Sequence, residues 1–403
     1  MDMTLRFTAL ELGSLTGVVL LAFAASIGMA FNIDAIALSF GASNAEAGLV
    51  ASAELAAVSV GILGFARWGA HFPARTVYFV ALVVIFLLNT VCLFTTDLVT
   101  LLLMRIPTGL AMGSVSATAM ATAARSATPE ATFGVINSAL GGMGLVLAWV
   151  LPRAMTWPST ANGGGPAYFS GPVDGLFVVY ITCGLLAFFF LRTVPVAGRA
   201  SGGTEGGRAA GQGSLASLTL FAIALLFFGH GSLGIFLVRV GRELGLDGET
   251  IGYVFMAGAL VGIVAPLIAG FVGPRMRPLV PLLSIVTLLL AACYAVAATR
   301  SGTVFMVAVP VFGALPTAFM PILLGVIARF DPTGRMAGSH PAFVLIGGAV
   351  APFAGGYVRD MGDSFLWNGY FACGCIAVAF LLMLPLIRSD GSVSTRRSEL
   401  LQP

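Results

Sequence analysis

The chain has 403 residues, of which 58 % are hydrophobic and 9 % charged, and its mean hydropathy is +1.00. An average soluble domain carries roughly 25 % charged residues, so this balance excludes an ordinary water-soluble globule. The net charge of +3 is small, and it informs only through where the arginines fall.

Apolar runs long enough to cross about 30 Å of hydrocarbon recur along the whole chain. The fold class read from them is an all-α membrane protein with 12 transmembrane helices. The spans fall near 14–40, 46–67, 76–95, 98–123, 132–152, 173–193, 215–240, 250–272, 279–298, 303–328, 336–357 and 366–387. The first run lacks a small-residue cleavage site after a short apolar core, so it reads as a retained span and not as a signal peptide. The longest break, 195–214, is rich in Gly, Ser and Ala and reads as a flexible linker. It separates an N-terminal six-helix bundle, 1–194, from a C-terminal one, 215–403, that ends in a short tail.

All twenty basic residues are arginine, and the span boundaries sort them by side. Fourteen, among them Arg67, Arg75, Arg125, Arg275, Arg277 and Arg329, fall on the face that carries the linker and both termini. Five fall on the other face, Arg153, Arg239, Arg242, Arg300 and Arg359, and the last, Arg105, lies inside a span. Positive residues collect on the cytoplasmic side, so the expectation is a multi-pass inner-membrane protein with both termini cytoplasmic.

The two halves repeat. An offset of 204 aligns Gly41 with Gly245, Gly48 with Gly252, Gly109 with Gly313, Arg125 with Arg329, and Gly144 with Gly348. The same offset superposes spans 1 and 7, 2 and 8, 4 and 10, and 5 and 11. Two parallel six-helix repeats are a transporter layout in which the solute site lies midway down the interface between halves.

Span 4 carries Arg105-Ile-Pro-Thr-Gly109-Leu-Ala-Met-Gly113, and span 5 carries Gly134 with Gly141-Gly142-Met-Gly144. On these motifs the chain resembles the major facilitator superfamily over essentially its full length. The resemblance implies two pseudo-symmetric six-helix bundles that rock about a central site, with spans 1 and 7 meeting at the periplasmic side. It also implies that Arg105, which matches the motif arginine, takes part in proton coupling. The loops after spans 2 and 8 keep glycine and arginine but lack the family's acid, and the Gly-Pro pair favoured by its antiporters in span 5 is absent.

Charges at membrane depth cost a few kcal/mol even on lenient scales and mark functional sites. Asp34, Glu54, Arg105 and Arg239 count to about 9–12 Å below the periplasmic surface at 1.5 Å per residue, in one layer. Two acids and two guanidiniums sum to neutral, which suits a paired network. Asp34, Glu54 and Arg105 are therefore the expected proton-coupling residues. Asp34 with Arg239, or with Arg242 as alternate partner, is the expected periplasmic gate. His230, flanked by Gly229 and Gly231 near the middle of span 7, is the expected solute contact or proton relay. Each position also has a plainer reading: a satisfied acid fixing helix packing, an arginine reaching for headgroups, a histidine bonded to the next helix. Three prolines in span 10, Pro310, Pro316 and Pro321, predict a bent helix.

The function expected from these residues is proton-coupled secondary transport of a small organic solute by alternating access. The alternatives are a multidrug/proton antiporter and, from another class, a non-transporting receptor or assembly factor on the same fold. No enzyme is expected, since no nucleophile and base stand at a spacing that implies a site. No phosphate-binding loop is present, and the three histidines are too scattered for a metal site. The expected partners are the solute, protons and the bilayer, with no cofactor and no nucleic acid, and the chain is expected to act as a monomer. The five cysteines sit in or beside apolar runs, where they serve as small hydrophobes.

Overall fold

The computed structural model describes residues 6–157, 171–195, 213–272, 275–330 and 335–399. The expected linker, 195–214, lies almost wholly outside them. The described residues are helical nearly throughout, because a membrane interior offers backbone groups no water and helices satisfy every one within the segment.

Two compact units divide the chain, Met1–Gly206 and Gly207–Pro403. In the first, the helices are α1 (Ala9–Ala22), α2 (Ala24–Ile27), α3 (Met29–Phe40), α4 (Asn44–Trp68), α5 (Ala74–Leu93), α6 (Leu98–Ala123), α7 (Pro129–Thr156) and α8 (Pro172–Phe190). In the second they are α9 (Gly213–Gly234), α10 (Leu237–Glu243), α11 (Gly248–Val272), α12 (Leu279–Ala298), α13 (Gly302–Phe330), α14 (Arg335–Met361) and α15 (Leu366–Glu399).

Eleven helical stretches among the described residues are long and apolar enough to cross a membrane, with α9 and α10 counted together as Leu218–Glu243. The twelfth span, expected as one run, is α1, α2 and α3 in series. Its hydrogen bonding continues across the breaks, with the Phe23 N–H on the Val19 carbonyl and the Asn32 N–H on the Gly28 carbonyl. A side-chain methyl at Gly28 would crowd Leu151 of α7 and the Tyr180 hydroxyl of α8, so the break is also a point of close approach.

The repeat is visible in the backbone. Adding 204 to the bounds of α4 gives 248 and 272, the bounds of α11, and adding it to the start of α6 gives 302, the start of α13. At α4 and α11 the match extends to the cap. Ser43 caps α4 in a capping box with Glu46, and the residue 204 later, Asp247, accepts the Thr250 N–H at the start of α11. The offset fails at the last span: Pro172 of α8 corresponds to Leu366 of α15 at an offset of 194.

In the first unit Leu15, Val18, Tyr78, Leu82, Met112, Val115 and Ile136 form a buried core drawn from α1, α5, α6 and α7. Lipid tails are as apolar as leucine, so what joins such helices is close packing between small residues. Between α4 and α6 that packing is tight. A methyl group at Gly109 would overlap the Glu54 carbonyl oxygen, at Gly113 the Val58 carbonyl, and at Gly61 the Leu110 carbonyl. The second unit has its own close seam between α9 and α14, where Gly347 faces the Ala224 carbonyl and Gly355 faces that of Ser232.

Candidate functional site

The Gly109–Gly113 seam decides where a charge can meet a charge. Arg105, Gly109 and Gly113 succeed one another at four-residue intervals and so share one face of α6. Glycine at two of the three brings the α4 backbone within contact. Glu54 then stands opposite Arg105, with Arg105 Nη1 3.3 Å from Glu54 Oε2. The two side chains are 3 % and 2 % exposed, so this is a fully desolvated ion pair.

The guanidinium has further partners. Arg105 Nη2 donates to Asn89 Oδ1 at 2.6 Å and approaches Cys92 Sγ at 3.6 Å, both on α5. Asn89 is held by its own back-bond, in which Nδ2 donates to the Ile85 carbonyl at 2.9 Å. The Phe177 ring of α8 lies 5.2 Å from Arg105 Cζ, a cation–π distance. Each partner also leaves one buried polar atom without a hydrogen bond, Oε1 of Glu54 and Nε of Arg105, but among the described residues Glu54 has no hydrogen-bond partner besides the arginine. The arginine thus has several alternatives to the acid, whereas the acid leans on the arginine.

Beside the pair is a small apolar cavity lined by Met29, Asn32 and Ile36 of α3, by Glu54 and Arg105, and by Phe177. Asn32 connects this region to the broken first span. Its Nδ2 donates to the Ala25 carbonyl of α2 at 2.9 Å, and its Oδ1 accepts from the Tyr180 hydroxyl. Asn89, Asn32 and Tyr180 are buried polar residues that the sequence reading passed over. For the two asparagines the signal was present: an amide in an apolar run at membrane depth must find partners.

A family model for the major facilitator superfamily matches residues 14–339. The chain belongs to the major facilitator superfamily. A candidate tartrate transporter of Agrobacterium vitis is 26 % identical over 206 residues, which cover 45 % of this chain and 42 % of that protein. The match thus spans less than half the length of that relative. Among solved structures, a bacterial homologue of the human lysosomal transporter Spinster, inward-facing and occupied, superposes with a TM-score of 0.67. It shares 15 % identity, with 95 % of this chain and 96 % of that one covered. The nucleoside transporter NupG gives a TM-score of 0.68 at 12 % identity, covering 94 % and 99 %. At these identities the likeness speaks for the fold. As a major facilitator protein the chain is a multi-pass membrane transporter and not an enzyme.

Of the residues singled out in the sequence, Glu54 and Arg105 are brought together. Asp34 is also buried, on α3, at 2 % exposure. It stands two residues beyond Asn32, about 200° around the helix, and so on the far side from the Tyr180 contact. Arg239 and Arg242 are half-buried on α10, in the second unit. His230 Nε2 lies 3.2 Å from the Phe312 carbonyl oxygen of α13, and its ring stacks on that of Phe312 at 4.1 Å between centroids. The histidine is therefore bonded to a neighbouring helix.

Proposed function

We propose that this protein is a proton-coupled secondary transporter that carries a small organic solute across the inner membrane by alternating access. The observation that carries the reading is the unequal pairing of Glu54 and Arg105. Deprotonated, Glu54 neutralises the guanidinium within a dry site. When Glu54 takes up a proton, Arg105 keeps the Asn89 carbonyl oxygen, the Cys92 sulfur and the Phe177 ring. Uptake of the proton therefore does not strand a bare buried cation, an event that costs about 3–5 kcal/mol when a partner is removed outright. In this reading Glu54 cycles between the two states, as a proton carrier must.

Met29, Asn32 and Ile36 of the first span line the same cavity, so α3 borders the place where Glu54 changes charge. In this reading the linker 195–214 joins two bundles that rock, both termini are cytoplasmic, and Asp34, Arg239 and Arg242 serve as gate residues on the periplasmic side. The candidate tartrate transporter that matches 45 % of the chain makes small hydroxy acids the first solutes to try.

The test is uptake of radiolabelled tartrate, and of neutral and cationic solutes beside it, into proteoliposomes under an imposed pH gradient. Glu54→Gln, which fixes the protonated shape, is expected to abolish gradient-driven uptake while solute exchange persists. Asp34→Asn is expected to weaken uptake by loosening the gate. Undiminished pH-dependent uptake in both variants would sink the assignment.

A further inference from the structure

Pro316 has no backbone N–H, so the Phe312 carbonyl four residues earlier in α13 loses the donor that any other residue would supply. A carbonyl freed at membrane depth must be met by a side chain, a neighbouring helix or water. The atom that meets this one is Nε2 of His230, reaching across from α9 at 3.2 Å. The same imidazole lies flat on the Phe312 ring, with the two planes 14° apart. Since a carbonyl only accepts, Nε2 must carry the hydrogen, which fixes the tautomer of the neutral ring.

The arrangement recurs one helix further on. Pro266 of α11 frees the Gly262 carbonyl in the same way, and Thr317 Oγ1 of α13 lies 3.3 Å from that oxygen. The hydroxyl shares its one hydrogen with the Ala314 carbonyl at 2.7 Å, so this second link is the weaker of the two. α13 thus receives a donor from α9 and offers one to α11, each at a carbonyl that a proline has freed.

We propose that His230 is the clasp of a proline-bent α13: its Nε2–H stands in for the backbone donor that Pro316 removes, and so ties α9 to the bend. His230 is then a positioning residue for that helix and not a contact for the solute. The assignment does not depend on proton coupling, because the clasp holds α13 whatever the protein carries.

The decisive experiment returns the missing donor. Thermal unfolding of the purified full chain in detergent would be measured for His230→Phe, His230→Gln, Pro316→Ala and the His230→Phe/Pro316→Ala pair. His230→Phe keeps an aromatic ring for stacking but loses the donor, and it is expected to lower the unfolding midpoint by about 2–4 °C. His230→Gln, which can still donate, should recover most of that loss. In the Pro316→Ala background residue 316 supplies its own N–H, and His230→Phe should then cost almost nothing. Equal losses in both backgrounds would overturn the clasp, since packing alone is blind to residue 316. A second reading uses the unaltered protein: nitrogen-15 shifts of the His230 ring should report the Nε2–H tautomer, and an Nδ1–H form would refute the assignment. Neither measurement involves transport, so the clasp and the transport reading can fail separately.

Discussion

The α4–α6 pair of the first half and the α11–α13 pair of the second begin at equivalent positions and have diverged into different devices. Adding 204 to Glu54 and Arg105 gives Gly258 and Val309, so the second half has neither charge. Gly109 is pressed against the α4 backbone, whereas around its counterpart Gly313 there is open space. In exchange α13 carries Pro310, Pro316 and Pro321, where α6 carries Pro107 alone within its helix. A tight seam suits a buried ion pair, whose Coulombic gain survives desolvation only when the geometry is held. The space around Gly313 and the three prolines suit bending of α13, because less is packed against that point of the helix.

The largest expected effect comes from breaking the charged half on one side. Arg105→Leu leaves Glu54 buried without its counter-charge and should destabilise the protein by about 3–5 kcal/mol. Replacing both partners by apolar residues of closer volume, as Glu54→Leu with Arg105→Leu, removes the stranded charge and should recover most of that loss. Unfolding midpoints of the single and double variants check this; a double variant no better than Arg105→Leu would mean the pair is not the reason the seam is charged.

A smaller effect separates the seams themselves. Gly109→Ala forces two helices apart and should cost about 1–3 kcal/mol, the usual penalty for overpacking. Gly313→Ala meets nothing and should be neutral or should stabilise by about 0.5–1 kcal/mol through helix propensity. Equal losses at both positions, measured by thermal unfolding, would contradict the contrast.

The smallest effect is at the helix starts. Asp97 caps α6 by accepting the Thr100 N–H at 2.7 Å, and its equivalent in the second half is Ser301, which has no charge to lose. Hydrogen bonds from the Thr100 backbone and side chain hold the Asp97 carboxyl below the ordinary aspartate value. A lowered folded value means the carboxylate's stabilisation is complete above the unfolded pKa and is lost as pH falls through the folded one. The difference in midpoint between the native protein and Asp97→Asn should therefore be slight at neutral pH and vanish in acid. A difference that persists unchanged at low pH would show that the charge is irrelevant to the cap.

Much of the fold could be read before the structure, because bilayer crossing imposes a length and a composition that few other constraints imitate. The Glu54–Arg105 pair was legible for a related reason: charges inside apolar runs are too costly to be accidental. Asn89 was passed over because an uncharged amide in Phe86-Leu-Leu-Asn89-Thr is a fainter anomaly, and its partner lies on another helix. Tyr180 meets Asn32 across 148 residues of chain, a separation that no local pattern encodes. The breaks in the first span also left no strong mark, since Phe23 and Gly28 are ordinary residues for a membrane helix. The prolines of span 10 announced a bend, but which helix would supply a donor to the freed carbonyl depends on packing alone.

Gly41 and Gly245 are the two residues with positive φ among those described, at 63° and 77°, and they lie 204 positions apart. Each ends the opening span of its half in a left-handed turn that costs an L side chain about 1–2 kcal/mol. The side chains of the halves differ, with a buried ion pair between α4 and α6 in one and uncharged residues at the equivalent α11 and α13 positions in the other, while these two torsions still agree. The repeat is thus kept in the backbone: it persists as an angle where the chemistry around it differs.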